Sequence, residues 1–266
     1  MKVISDGSFS LDPGAAFGVT PEPIWSRSFR RMENGRIRLG LNTLLVSSGD
    51  ISVLIDSGIG THHDEKFARI FDIQPDPHYI QKIEQYAKPE ELRMIVHSHL
   101  HFDHAGHSFE KIGGKRVFRN ASIVAQGEEF KQMSHTNDLT RANYKHYSSG
   151  IQSFTKIQLH GNSRLLPWLS VIHTGGHTPG HQAIIIRTSR NEIIYPGDLF
   201  PASFYLQPNH ITAIDYSPFE TLKVKKLILK RAIRNGSVVI LNHDLVNPAV
   251  QLRGSVDKPD FEPVEI

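Results

Sequence analysis

Val96-His97-Ser98-His99-Leu100-His101-Phe102-Asp103-His104-Ala105-Gly106 is the stretch on which the reading of this chain turns, because five of its sixteen histidines lie between residues 97 and 107. An apolar run over 92–96 leads into it and predicts a buried strand. His99 and His101 stand at i, i+2 at the strand end, so their rings can project to the same side. Asp103 and His104 follow where the chain turns toward a helix. As adjacent residues they cannot share one direction, so they are better placed to serve a second centre than to crowd the first. Packing alone gives no reason to gather four such groups at a strand end. Imidazole and carboxylate together suit zinc, and also iron, manganese or nickel. The pattern predicts a metal centre.

The stretch HSHLHFDHAG resembles the signature of the metallo-β-lactamase superfamily, and matching motifs run from about Asn42 to Asp244. The resemblance implies an α/β fold: an αβ/βα four-layer sandwich of two mixed sheets flanked by helices, with metals between the tops of the sheets. Carried over residue by residue, it implies that His99, His101 and His177 hold one metal, that Asp103, His104 and His243 hold another, and that Asp198 bridges them. It implies two divalent ions, Zn2+ first, with Fe or Mn as alternatives. Such a pair would lower the pKa of a water from ~15.7 to about 7, and the bridging hydroxide would be the nucleophile. Asp103 is expected to carry the proton to the leaving group, and Tyr205 to support the oxyanion. Asp56-Ser57-Gly58 resembles a turn of this family whose carboxylate supports the metal histidines. HSHLHFDHAG and Gly176-His177-Thr178-Pro179-Gly180-His181-Gln182 bring the chain nearest to the N-acyl homoserine lactonase-like branch. Lactonases of that branch place their tyrosine closer to the bridging aspartate, where this chain has Phe200 and Pro201.

Composition sets wider limits. At 266 residues, 39% hydrophobic and 21% charged, the chain reads as one soluble globular domain spanning 1–266. A net charge of +3 is too small to imply nucleic acid. There is no cysteine, which excludes disulfides and thiolate ligands and leaves His, Asp and Glu to hold metal. No apolar run approaches the ~20 residues of a membrane span. The first residues lack the apolar core of a signal peptide. A cytoplasmic protein is expected.

In chain order, residues 1–38 are rich in Pro, Gly and Arg. Their Phe17, Trp25 and Phe29 are expected to pin the segment onto the core or to wall a pocket. Runs 41–46 and 51–55 predict a hairpin. Thr61 is a candidate cap for a helix carrying Phe67, Ile70 and Phe71, with His62 and His63 at the surface or a pocket rim. The polar stretch 126–164, with Tyr144, His146 and Tyr147 around Arg141 and Lys145, predicts a site-covering insertion. Runs 182–188 and 192–195 predict a second hairpin. Ser217, Pro218 and Glu220 predict a capping box, opening a helix whose apolar side carries Leu222, Leu227, Ile228, Ala232 and Ile233, with Gly236 as its stop. A strand is expected over 238–241 and a tail over 251–266. Each half thus repeats a hairpin ending in Asp, a helix, and a strand ending in His.

The leading expectation is a hydrolase for a small-molecule ester or lactone, such as an acyl-homoserine lactone, with no membrane partner and with oligomer formation open. A thioester hydrolase is the alternative, since GHTPGH followed by Gly197-Asp198-Leu199-Phe200 is also similar to glyoxalase II. That family adds a C-terminal helical part, whereas little chain follows His243 here. A third reading, nucleic-acid processing, rests on Lys223, Lys225, Lys226, Lys230, Arg231 and Arg234, which are more simply a solvated helix face. His97, His107, His173, His181 and His210 receive no assignment.

Overall fold

A computed structural model describes residues 1–144, Ile151 and residues 154–266. Two seven-stranded sheets face each other. The first runs in the order β4-β1-β2-β3-β5-β8-β9, the strands being β1 (Lys2–Leu11), β2 (Ile37–Ser48), β3 (Ile51–Ile55), β4 (Gln74–Pro75), β5 (Met94–Val96), β8 (Ser122–Gln126) and β9 (Lys156–Leu159). The second runs from β10 (Ser163–Leu166) through β11 (Leu169–His173), β12 (Gln182–Arg187), β13 (Glu192–Tyr195), β14 (Val238–Ile240) and β15 (Ala249–Gly254) to β16 (Pro259–Pro263). A small hairpin, β6 (Lys111–Ile112) with β7 (Lys115–Arg116), lies apart.

Alternation along the strands builds the layers. Val53, Ile55, Met94 and Val96 face Ile184, Ile186, Ile193 and Ile240 in a core between the sheets. Their neighbours Leu54 and Ile95 point the other way, into a core shared with Phe67, Tyr79, Ile83 and Phe130. After the short α1 (Pro13–Phe17) and α2 (Glu22–Trp25), these belong to α3 (Glu65–Phe71), α4 (Tyr79–Glu84) and α6 (Gly127–Ser134). On the far side, Ile185, Ile194 and Val239 pack on Ile228, Leu229 and Ala232 of α8 (Pro218–Asn235). Both faces of each sheet are covered, which is why the central strands read as nearly continuous apolar runs. This is the expected four-layer αβ/βα sandwich.

The echo between halves has a topological basis. In each half an antiparallel hairpin is followed by a crossover to a parallel strand: β2–β3 then β5, and β12–β13 then β14. The chain segments that follow β3, β5, β13 and β14 therefore meet at one edge, the usual place for a site in such sheets.

Several local expectations are corrected. The start of the chain is a long strand, β1, paired along β2. Residues 251–266 do not form a tail, because β15 and β16 complete the second sheet. Asp64, not Thr61, caps α3, its carboxylate accepting from the Phe67 N–H at 2.8 Å, while Thr61 donates to Glu110. Ser217 does precede α8, but its side chain makes no capping bond. Leu227 points to solvent, and Thr221 and Lys225 take buried places on that helix. The stretch 126–164 supplies α6, β9, the start of β10, and the short helix α7 (Arg141–Tyr144). Lys145, His146 and Tyr147 lie outside the described residues. None of the described helices is long and apolar enough to cross a membrane.

Candidate metal centre

Phe102–Ala105 forms one turn of helix, α5, with His101 as its cap residue. That turn sets Asp103 and His104 directly after the His99/His101 pair and brings the His104 ring to 4.1 Å from the His99 ring. His177 is presented by a tight loop in which Gly175 and Gly176 adopt φ of 58° and 82°, a conformation glycine takes without strain. Gly176 also abuts Thr221, leaving no room for a Cβ. Asp198 follows β13 and His243 follows β14.

These seven side chains converge into a metal-binding cluster. His99, His101 and His177 form one group, Asp103, His104 and His243 another, and His99, His104 and Asp198 a third, with ligand atoms in each group within 4.8 Å of one another. Asp198 lies between the first two. Its Oδ2 is 3.3 Å from His177 Nε2, and its Oδ1 is 3.2 Å from His104 Nε2 and 3.3 Å from His243 Nε2. Asp103 Oδ2 is 3.4 Å from His243 Nε2.

Hydrogen bonding around the cluster tests whether it fits a cation. The Nδ1 atoms of His104, His177 and His243 donate to Asp56 (2.8 Å), Asp215 (2.8 Å) and the Gly40 carbonyl (2.7 Å). Ser98 Oγ donates to Asp56, so it accepts from His99 Nδ1 at 3.1 Å. A proton on Nδ1 leaves the Nε2 lone pair facing inward. The Nε2 atoms of His99 and His104 are buried with no hydrogen-bond partner. Unpaired acceptors are costly in a dry interior, and a divalent cation satisfies them. His101 differs: Nδ1 faces His177 Nε2 at 3.3 Å, and its outer side meets the Asn143 amide at 3.2 Å.

Electrostatics divides the histidines of the cluster, His99 and His101 being shifted down and His104 and His177 up. Burial, then neighbouring histidines, push His99 and His101 well below the usual imidazole range, toward the neutral form that binds metal. Burial works in the same direction on His104, but the carboxylates of Asp198, Asp103 and Asp56 outweigh it and raise the pKa. Burial alone would raise Asp198, yet the charges of His104, His243 and His177 hold it well below the carboxylate range.

A cavity of about 280 Å³ opens onto His101, Asp103, Asp198 and His243. Phe9, Leu11, Leu39, Phe71, Phe102 and Ile214 make its wall apolar. A wider groove of about 840 Å³ between the chain termini contains none of the seven residues. Phe17 and Trp25 stand behind the wall, stacked at 4.7 Å, and Phe29 packs on Phe17. Tyr205 reaches the cavity, but its hydroxyl donates to the Ala16 carbonyl at 2.8 Å.

The other histidines singled out in the sequence are accounted for locally. His97 bonds Ser108, His107 bonds Asp6, His173 meets the Pro179 carbonyl, and His210 stacks on Phe204. His181 accepts the Asp198 N–H at 3.1 Å through Nε2. His62 and His63 stack on each other in half-exposed positions outside the cluster. Asp215 and Glu129 escaped the sequence reading. Asp215 is 38 residues from the histidine it holds, and nothing in its immediate neighbours marks it. Glu129 sits in a polar helical segment with no motif.

A family model described as the metallo-beta-lactamase superfamily matches residues 37–243. Among characterised relatives, N-acyl homoserine lactonases from a Bacillus species and from Bacillus cereus are 28% and 26% identical, each over 167 residues, 59% of this chain and 58% of the relative. The match thus spans 58% of those relatives' length. A probable metal-dependent hydrolase from Staphylococcus aureus superposes with a TM-score of 0.90 at 26% identity, covering 99% of this chain and 96% of that one. AidC, a dizinc quorum-quenching lactonase solved with a product, shares the fold at 19% identity and a TM-score of 0.77, over 99% of this chain and 94% of that one.

Proposed function

The chain belongs to the metallo-beta-lactamase superfamily, and from that premise we propose that it is a dinuclear metal-dependent hydrolase that opens an ester or lactone, with acyl-homoserine lactones as the first candidates. The observation that carries the reading is the seven-residue cluster at the floor of an apolar cavity. His99, His101 and His177 would hold one ion, Asp103, His104 and His243 the other, with Asp198 shared. Zn2+ is the first choice on donor chemistry, with Fe and Mn compatible. Two such ions, when bound, acidify water and polarise a carbonyl.

The chain's own residues supply the rest. The aliphatic and aromatic wall excludes water and takes an apolar substituent. Asp103 lines the cavity beside His243, which supports it as the group that would pass a proton to the leaving oxygen. Tyr205 would support the developing oxyanion only by releasing the Ala16 carbonyl. Asp103→Asn and Tyr205→Phe, assayed at full metal loading, separate these roles, and wild-type rates in either variant remove its residue from the mechanism. No lysine or arginine lines the cavity among the described residues, which disfavours a thioester with an anionic carrier. Of the cations along α8, Lys225 is buried and Arg231 is paired with Glu192, which weakens a nucleic-acid reading.

The test is proton release from a panel of lactones, using protein whose metal has been restored to two ions per chain. Ring opening that disappears in His104→Ala supports the reading. No release with both ions bound, alongside turnover of thioesters, replaces it.

A further inference from the structure

Glu129 is fully buried on α6, outside the seven-residue cluster, and it touches both halves of the site. Its Oε2 accepts the Leu100 N–H at 2.8 Å. Its Oε1 accepts the Thr178 hydroxyl at 2.5 Å and the Gly180 N–H at 3.1 Å. Leu100 is the residue between His99 and His101. Thr178 and Gly180 continue the loop that presents His177. One carboxylate therefore ties the loop after β5 in the first sheet to the loop after β11 in the second. The approach is close: a Cβ on Gly180 would come within 2.8 Å of Glu129.

We propose that Glu129 is a positioning residue that sets the distance between the His99/His101 loop and the His177 loop, and through it the affinity of the metal position those three histidines form. The inference rests on the two-ion reading above. A metal site tolerates ligand distances within about ±0.2 Å. His99 and His101 reach the site from one sheet, and His177 reaches it from the other. Backbone pairing within either sheet cannot fix the distance across the gap, and a short hydrogen-bonded clamp between the loops can. Its second oxygen binds two donors, so the His177 loop is held at two points and cannot pivot. Gln182 bonds to Ser98 and His97 and stitches the same seam, but it reaches neither Leu100 nor the His177 loop tip. The other group, Asp103, His104 and His243, has no bond to Glu129 among the described residues, so the clamp acts on one metal position and leaves the other alone.

Glu129→Gln keeps the shape but turns an N–H2 toward an existing donor, releasing one loop. The wild type, Glu129→Gln and the exposed neighbour Glu128→Gln would be stripped of metal and titrated with Zn2+ against a chromophoric chelator, with thermal unfolding followed in parallel. One of two binding steps should weaken about 10–100-fold in Glu129→Gln. The other step should hold, and Glu128→Gln should match wild type. A folded Glu129→Gln with both steps at wild-type affinity overturns the proposal. So does equal weakening of both steps with a lowered melting temperature, which would make Glu129 a support of the fold alone. Should Glu129→Gln fail to fold, Thr178→Val removes a single donor and should weaken the same step by less, and unchanged affinity there overturns the clamp. Zn2+ affinity is read without substrate, so failure of lactone turnover leaves this test intact. If wild type took up one ion only, the two-ion reading would fall, and the clamp would be scored on that ion.

Discussion

The two halves of the molecule build their shares of the site differently. The first half gathers His99, His101, Asp103 and His104 in the single stretch 99–104 and holds His99 and His104 through a shared hub. Asp56 accepts the Ser98 N–H and the Ser98 hydroxyl, each at 2.7 Å, and His104 Nδ1 at 2.8 Å, and Ser98 in turn orients His99. The second half draws His177, Asp198 and His243 from three separate strand ends and gives each its own partner: Asp215, Asn242 and the Gly40 carbonyl. A compact motif can be served by one carboxylate. A dispersed one needs a separate restraint per residue. Damage should therefore spread in the first half and stay local in the second.

The largest effect is expected from Asp56→Ala. It leaves three buried donors without an acceptor, at about 1–3 kcal/mol each. It also puts alanine at a φ of 51°, a conformation that aspartate tolerates better. The expected outcome is loss of metal from both positions together with several kcal/mol of stability, read by metal analysis and denaturant unfolding. Retention of either ion at wild-type affinity would mean that Asp56 is not a hub.

Asp215→Ala should do less. It removes the acceptor for His177 and for the Thr212 hydroxyl, which donates at 2.6 Å. Metal affinity should fall about 10–100-fold at the position that uses His177, with roughly 1–2 kcal/mol of stability lost. Zinc titration beside chemical denaturation measures both. Losses as wide as those of Asp56→Ala would erase the contrast between the halves.

The same contrast explains what was legible in the sequence. His99, His101, Asp103 and His104 announce themselves because neighbouring residues share one purpose. The central strands are equally plain, since burial on both faces writes itself as runs such as Ile184, Ile185 and Ile186. His177, Asp198 and His243 were reached by motif resemblance, not by spacing. Asp215 and Glu129 left no local trace, because a partner supplied by tertiary folding can come from any distance along the chain. The outer strands were missed for a related reason. In β16 the central residues are Asp260, Phe261 and Glu262, a half-exposed pattern that composition alone reads as a tail. β1 was hidden in a segment whose Pro and Arg content belongs mostly to the short helices and loops after it.

The smallest effect is expected far from the cluster, where the second half is held by a half-buried pair. Glu192 of β13 accepts Arg231 Nε at 2.9 Å and Nη2 at 2.6 Å, with Asn235 and Ser237 also donating. Burial would raise the Glu192 pKa, but these donors and the Arg231 charge outweigh it and hold it below the usual glutamate value. A folded-state pKa below the unfolded one means that the unfolded chain binds more protons as acid is added. The pair's contribution is thus complete well above pH ~4.3, the unfolded value, and is lost as pH falls through the folded value. Glu192→Gln should flatten the acid limb of stability between pH ~5 and ~3, measured as the urea midpoint across that range, while both zinc affinities at neutral pH stay as in wild type. A changed zinc affinity would show that α8 transmits strain to Asp215 and His177, and that the second half is less modular than its separate restraints imply.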